Sequence, residues 1–134
     1  MAIPLEIGIR EAYAAFGRGD IEGYFSVCTE EFSFNVPGRG ALAGMYCGKS
    51  GIHELARKAI EISSASFCEE VEDVLVSDRY VVVLAGQHLA RNGQPKEYQT
   101  VHVYRLEEGK LAECCEHPRD QALFEEAWGV ISTP

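Results

Sequence analysis

Apolar positions change their period partway along the chain. From Pro4 to Gly17, Ile7, Ala12, Tyr13, Ala14 and Phe16 recur at helical spacing, Pro4 suits a first turn, and Gly17 and Gly19 end the run. Asp20 then reads as the N-cap of a short helix reaching Val27. Phe32, Phe34 and Val36 alternate with Ser33 and Asn35, which predicts a strand. Pro37, Gly38 and Gly40 force a loop, and Met45–Cys47 is a short strand after it. Ser50 caps a long helix running to about Ala65, with Ile52, Leu55, Ala59 and Ile62 on one apolar face. Beyond it the period becomes two. Phe67–Val76, Tyr80–Ala90, Lys96–Leu106 and Leu111–His117 read as four strands. Their connections are short and carry turn chemistry, Asn92-Gly93 most strongly, so the four form an antiparallel meander. Asp120 can cap a last helix ending at Trp128. The expected fold class is α+β: helices covering one face of a curved sheet, with a cone-shaped hollow between them that suits a small, largely apolar ligand.

Composition narrows the function. A chain of 134 residues fits one domain spanning 1–134, and 46% hydrophobic with 25% charged residues suits a globular core. The net charge of −9 makes nucleic acid and anionic lipid poor partners. No apolar run approaches the ~18 residues of a membrane span, and the N-terminus does not read as a signal peptide. Five irregularly spaced cysteines, with Cys114 and Cys115 adjacent and no CxxC, argue against a disulfide framework or zinc site and for a cytoplasmic location. Four scattered histidines make no HxxxH or HxH, so no metal is expected. GxSxG, P-loop, GxGxxG and HExxH motifs are all absent.

The candidate chemistry lies on the third and fourth meander strands. Strand alternation puts Tyr98, Thr100, His102 and Tyr104 on one face. His102 there is a proton-transfer group or an oxyanion donor; packed or interface histidine is the plain alternative. Asp120 follows Pro118, where strand pairing stops. Capping the final helix and facing the hollow as a general acid or base are competing roles for its carboxylate. Cys115 and His117 share a face because adjacent strand residues point oppositely, which also makes a thiol hydrolase the remote reading. Phe16, Phe34 and Trp128 read as core aromatics that also line any cavity, and Tyr13 is a phenol on the first helix able to donate to a ligand oxygen.

Tyr13–Asp20, Glu31–Gly38 with Leu42–Gly44, Tyr46–Gly48, Val101–Leu106 with Gly109–Leu111, and Asp120–Phe124 followed by Trp128 run in an order that resembles the SnoaL-like branch of the nuclear transport factor 2-like superfamily, which also holds the ketosteroid isomerases. That resemblance implies a cone-shaped fold, a deep apolar pocket, homodimers through the sheet and no cofactor. It implies an acid/base role for Asp120, which matches the aspartate ending the last strand in cyclase-like members. It puts His102 where isomerases carry a neutral, hydrogen-bonding aspartate, and places the helix-one phenol at or beside Tyr13. The isomerase general base falls at about Val36 and is missing. The Asp–Arg–Asp arrangement of epoxide hydrolases is not evident, and the tryptophan many relatives carry near Cys115 is absent, which widens the pocket. The expected function is a cyclase- or isomerase-type enzyme acting on a small, apolar, carbonyl-bearing molecule, with Asp120 as acid/base and His102 and Tyr13 stabilising an enolate oxygen. Phe16, Phe34, Tyr98, Thr100, Tyr104, Cys115, His117 and Trp128 are the expected pocket residues. A non-catalytic binding or assembly module of the same fold is the alternative.

Overall fold

A computed structural model describes residues 4–129. The elements follow as α1 (Leu5–Gly17), α2 (Ile21–Phe25), β1 (Cys28–Val36), β2 (Gly44–Cys47), α3 (Gly48–Ser63), β3 (Cys68–Val76), β4 (Tyr80–Arg91), β5 (Gln94–Glu107), β6 (Lys110–Pro118) and α4 (Gln121–Trp128). The short helix α2 is capped as its sequence predicts, with Asp20 accepting from the Gly23 amide at 2.9 Å. The long helix starts two residues earlier than its expected cap. Cys47 holds the N-cap position with no side-chain bond, and Ser50 lies inside the first turn. Gly51 explains the tight start: a Cβ there would sit 2.7 Å from the carbonyl carbon of Tyr46, so only glycine lets α3 fold back onto β2.

The six strands form one curved, open, mixed sheet in the order β2-β1-β6-β5-β4-β3. The β3–β6 meander is antiparallel throughout, and β1 pairs parallel to β6. Asn92 and Gly93 both take positive φ, the left-handed geometry of a two-residue hairpin turn, and lock β4 to β5 without a slip from Tyr80↔Arg105 to Arg91↔Gln94. Helices lie against the concave face. Their apolar sides close over it through Ile9, Tyr13, Ile52, Leu55, Phe124 and Trp128 to form the core with Phe32, Phe34, Val81, Val83 and Leu111. The architecture is α+β, with four helices among the described residues, the short Asp20-capped α2 among them as its sequence predicts.

One irregularity decides which side chains face inward. The β5–β6 hairpin begins in simple register, Glu107↔Lys110 and Leu106↔Leu111, and then shifts so that Arg105 pairs with Glu113. The extra residue, Ala112, is a β-bulge, and from there on every β6 side chain changes face. Without the bulge, Cys115 and His117 would stand beside His102 and Thr100. With it, Tyr104 faces Cys114 and His102 faces Glu116.

Candidate functional site

The cavity under the helices is narrow. Its volume is about 60 Å3, counted as the room open to the centre of a water-sized sphere, which is enough for several waters. Its walls are mostly apolar: Phe16, Phe34, Leu42, Ile52, Leu55, Ala59, Phe67, Phe124 and Trp128. Tyr13, Tyr24, Tyr98, Tyr104, His102, Gln87, Glu69 and Glu116 supply the polar groups.

Two chains of hydrogen bonds organise those polar groups. The first begins on β6. Glu116, 5% exposed, accepts at Oε2 from Thr100 Oγ1 (2.9 Å) and from His102 Nε2 (3.1 Å). A carboxylate only accepts, so the Nε2 proton of His102 points at Glu116. His102 Nδ1 bonds the Tyr13 hydroxyl at 2.6 Å, Tyr13 bonds Tyr104 at 2.6 Å, and Tyr104 bonds Tyr24 at 3.0 Å. Burial lowers the His102 pKa, but the hydrogen bond and charge of Glu116, with Glu69 adding, outweigh it and leave the imidazole above its usual 6.5. The phenols of Tyr13, Tyr24 and Tyr104 are pushed well above 10, mainly by burial, and stay protonated. The second chain crosses the sheet near β3. Trp128 Nε1 donates to the Tyr98 hydroxyl at 2.5 Å, Tyr98 donates to Gln87 Oε1, and Gln87 Nε2 donates to Glu69 Oε2.

Among the described residues, nothing bonds Oε1 of Glu116, and no buried side-chain nitrogen or oxygen lacks a partner. Oε1 is therefore within reach of a water or ligand in the cavity. This gives the site a carboxylate oxygen free to take a proton, on a side chain fixed by two donors, in an apolar setting.

Of the expected residues, the structure brings Tyr13, His102, Phe16, Phe34, Tyr98, Tyr104 and Trp128 to the cavity wall. Thr100 is buried one layer back, against Glu116. Three expectations are corrected. Asp120 is exposed and caps α4, its Oδ1 accepting from the amides of Ala122 (3.0 Å) and Leu123 (3.2 Å). Cys115 and His117 lie on the outer face of the sheet, turned there by the Ala112 bulge. Sequence reasoning missed Glu116, Glu69 and Gln87. Their signal was register: each stands directly across from a residue of the inward stripe or of its neighbour, Glu116 from His102, Gln87 from Tyr98 and Glu69 from Gln87. No group of three His, Cys, Asp or Glu side chains among the described residues is arranged to hold a metal ion. No helix among them is long and apolar enough to cross a membrane.

The SnoaL-like domain family matches the chain over residues 9–114. The chain belongs to that family. The SnoaL-like chain shares the NTF2-like fold with solved proteins from Burkholderia. It is 25% identical to Bal32a, from a soil-derived mobile gene cassette, with a TM-score of 0.84 over 91% of this chain and 94% of Bal32a. TerC, solved co-crystallized with polyporic acid, has the same fold at 22% identity and a TM-score of 0.79, over 90% of this chain and 94% of TerC. An uncharacterized Mycobacterium tuberculosis (strain H37Rv) protein, Rv0034, is 24% identical over 121 residues, which is 90% of this chain and 92% of Rv0034.

Proposed function

We propose that this SnoaL-like protein is an enzyme of the isomerase or cyclase type that moves a proton on a small, largely apolar, carbonyl-bearing molecule. The observation that carries the reading is the buried Thr100–Glu116–His102–Tyr13 chain, in which Glu116 keeps one carboxylate oxygen free on an apolar cavity wall. Glu116 Oε1 takes a proton from the carbon beside the carbonyl and returns it elsewhere on the molecule. His102 and Thr100 hold the other oxygen, so the carboxylate does not have to be ordered during the reaction. Tyr13 and Tyr104 fix the imidazole from behind. The apolar walls exclude bulk water, which strengthens each of these contacts. The role once available to Asp120 passes to Glu116.

The test is exchange of solvent deuterium into the α-carbon of small cyclic ketones and enones, followed by NMR. The full chain should catalyse it, and Glu116→Gln should lower the rate by about 10²–10⁴-fold, the range of a positioned general base. Full activity in Glu116→Gln overturns this reading.

A second reading is a binding module without chemistry. It is favoured by the small cavity and by His102, both of whose ring nitrogens are already bonded. Under it, the same ketones raise the melting temperature of wild type and Glu116→Gln alike, and neither protein catalyses exchange.

A further inference from the structure

The exposure of its lining residues locates the cavity's entrance. All of them are buried except Phe16, Phe67 and Glu69. The opening therefore lies between the end of α1 and the start of β3, and Glu69 stands in it. Register puts Glu69, Gln87 and Tyr98 side by side in one rung across β3, β4 and β5, with Trp128 bonded to Tyr98 from α4. An indole N–H can only donate, so Tyr98 takes it at oxygen and gives its own proton to the Gln87 carbonyl oxygen, and the Gln87 amide donates to Glu69 Oε2. The Trp128 ring packs in turn on Phe67, 5.3 Å between centroids.

What these walls offer is one-sided. Each donor group on them already has a partner: the indole, Tyr98 and Gln87 along the rung, His102 Nε2 on Glu116, and the three phenols among themselves and with His102 Nδ1. Two acceptors are left over. Oε1 of Glu69 and Oε1 of Glu116 have no bond among the described residues, and Glu116 is 5% exposed. The charge is one-sided too. Neither lysine nor arginine lines the cavity, so two carboxylates share His102 alone. Burial, with Glu116 adding, raises the Glu69 pKa against the pull of His102 and the Gln87 bond, as suits a carboxylate short of counter-charge.

We propose that the mouth of this cavity is a binding site for a small primary alkylammonium ion, which donates to the free oxygen of Glu69 among the rings of Phe67 and Trp128, with Glu116 as a second negative charge deeper in. An ammonium group has donors and no acceptor, the complement of a wall with acceptors to spare. Its positive charge is attracted by aromatic faces. Room for several waters admits a chain of roughly three heavy atoms. An anionic ligand of that size meets like charge on the same wall, and an alcohol brings no charge to balance it. The site goes beyond the proton-transfer reading and stands without it, because Glu116 acts here as a charge whether or not it also takes a proton.

Trp128 is the single tryptophan of the chain, so its indole N–H gives one NMR signal, placed at the head of the rung. The isotope-labelled full chain is titrated with ethylammonium chloride at pH 7, with sodium chloride holding the ionic strength constant. The indole signal should move and saturate. Ethanol and propionate, of similar size but without the positive charge, should leave it in place at the same concentrations. Glu69→Gln keeps an acceptor for Gln87 and removes the charge, and should weaken binding about tenfold or more, as losing a charge-assisted hydrogen bond does. Phe67→Leu should weaken it about threefold by removing one ring face, and takes over the test if Glu69→Gln does not fold. The proposal is overturned by a wild-type signal that does not saturate, by ethanol or propionate moving it equally, or by unchanged affinity in the folded variant. Deuterium exchange keeps the two readings apart. Exchange without ethylammonium binding leaves Glu116 as base and removes this site. Binding without exchange leaves this site and removes the base.

Discussion

Glu116 and Asp120 lie four residues apart at the end of the last strand, and their surroundings are opposite. Glu116 is buried, fixed by an imidazole and a hydroxyl, and presents one oxygen to an apolar cavity. Asp120 is in water, with Oδ1 spent on the two amides that open α4. Both are carboxylates on the same stretch of chain, so residue type cannot distinguish them. What separates them is backbone geometry. A single bulged residue, Ala112, rotates β6 so that Glu116 faces inward, and Pro118 ends the strand before Asp120 can do so. Asp120 is then free for the work an aspartate before a helix ordinarily does, satisfying amide protons that have no partner within the helix.

The comparison breaks most visibly if Glu116 is removed without a replacement acceptor. Glu116→Leu leaves His102, 3% exposed, and Thr100 without the oxygen both donate to. Unpairing a buried charged partner costs about 3–5 kcal/mol. Chemical denaturation should show a loss of that order, with the midpoint falling and the m-value unchanged. A loss below about 1 kcal/mol would mean that the pair does not hold the core together.

A smaller effect sharpens the same contrast through pH. His102 has a folded pKa above its ordinary 6.5, and Glu69 one above its ordinary 4.5. In both cases the native state holds protons that the unfolded chain has released. The Glu69 contribution is complete below 4.5 and the His102 contribution below 6.5, and each is lost as pH rises through the folded value. Stability should therefore fall steadily from about pH 5 toward mildly alkaline pH, and fall less steeply in Glu69→Gln. Urea midpoints at five or six pH values would show it. A flat or rising profile over that window would contradict the assigned shifts.

Much of the fold was legible from the sequence because its signals are local. Asn92-Gly93 fixes a hairpin by its own dihedral preferences, Asp20 and Asp120 cap the helices they precede, and period-two runs mark the meander strands. The stripe of Tyr98, His102 and Tyr104 was legible for the same reason, since alternation within one strand needs no partner. The opposite wall was not. Which face of β6 looks inward depends on the Ala112 bulge, which no residue in Glu107–Leu111 announces, so counting straight through the turn selects Cys115 and His117. The Glu69 rung needs the pairing of three strands at once, and β3 carries its own shift between Val71 and Asp73. Sites assembled across strands lie beyond what periodicity within a strand can locate.

The smallest predicted effects belong to the side chains on the wrong face. Asp120→Ala should cost about 1 kcal/mol, the usual worth of an N-cap, and lower the melting temperature by a few degrees. Deuterium exchange in that variant should equal wild type, because the cap lies outside the cavity wall. His117→Ala should change neither stability beyond about 0.5 kcal/mol nor exchange, since His117 is exposed and Val101, its partner across the ladder, lies on the same outer face. The two variants divide the physical question. A drop in exchange for Asp120→Ala in proportion to its stability loss would trace to a loosened α4, whose Trp128 and Phe124 wall the cavity. A drop far beyond that proportion, with Glu116→Gln still active, would return the acid/base role to Asp120 and undo the assignment made from the bulge.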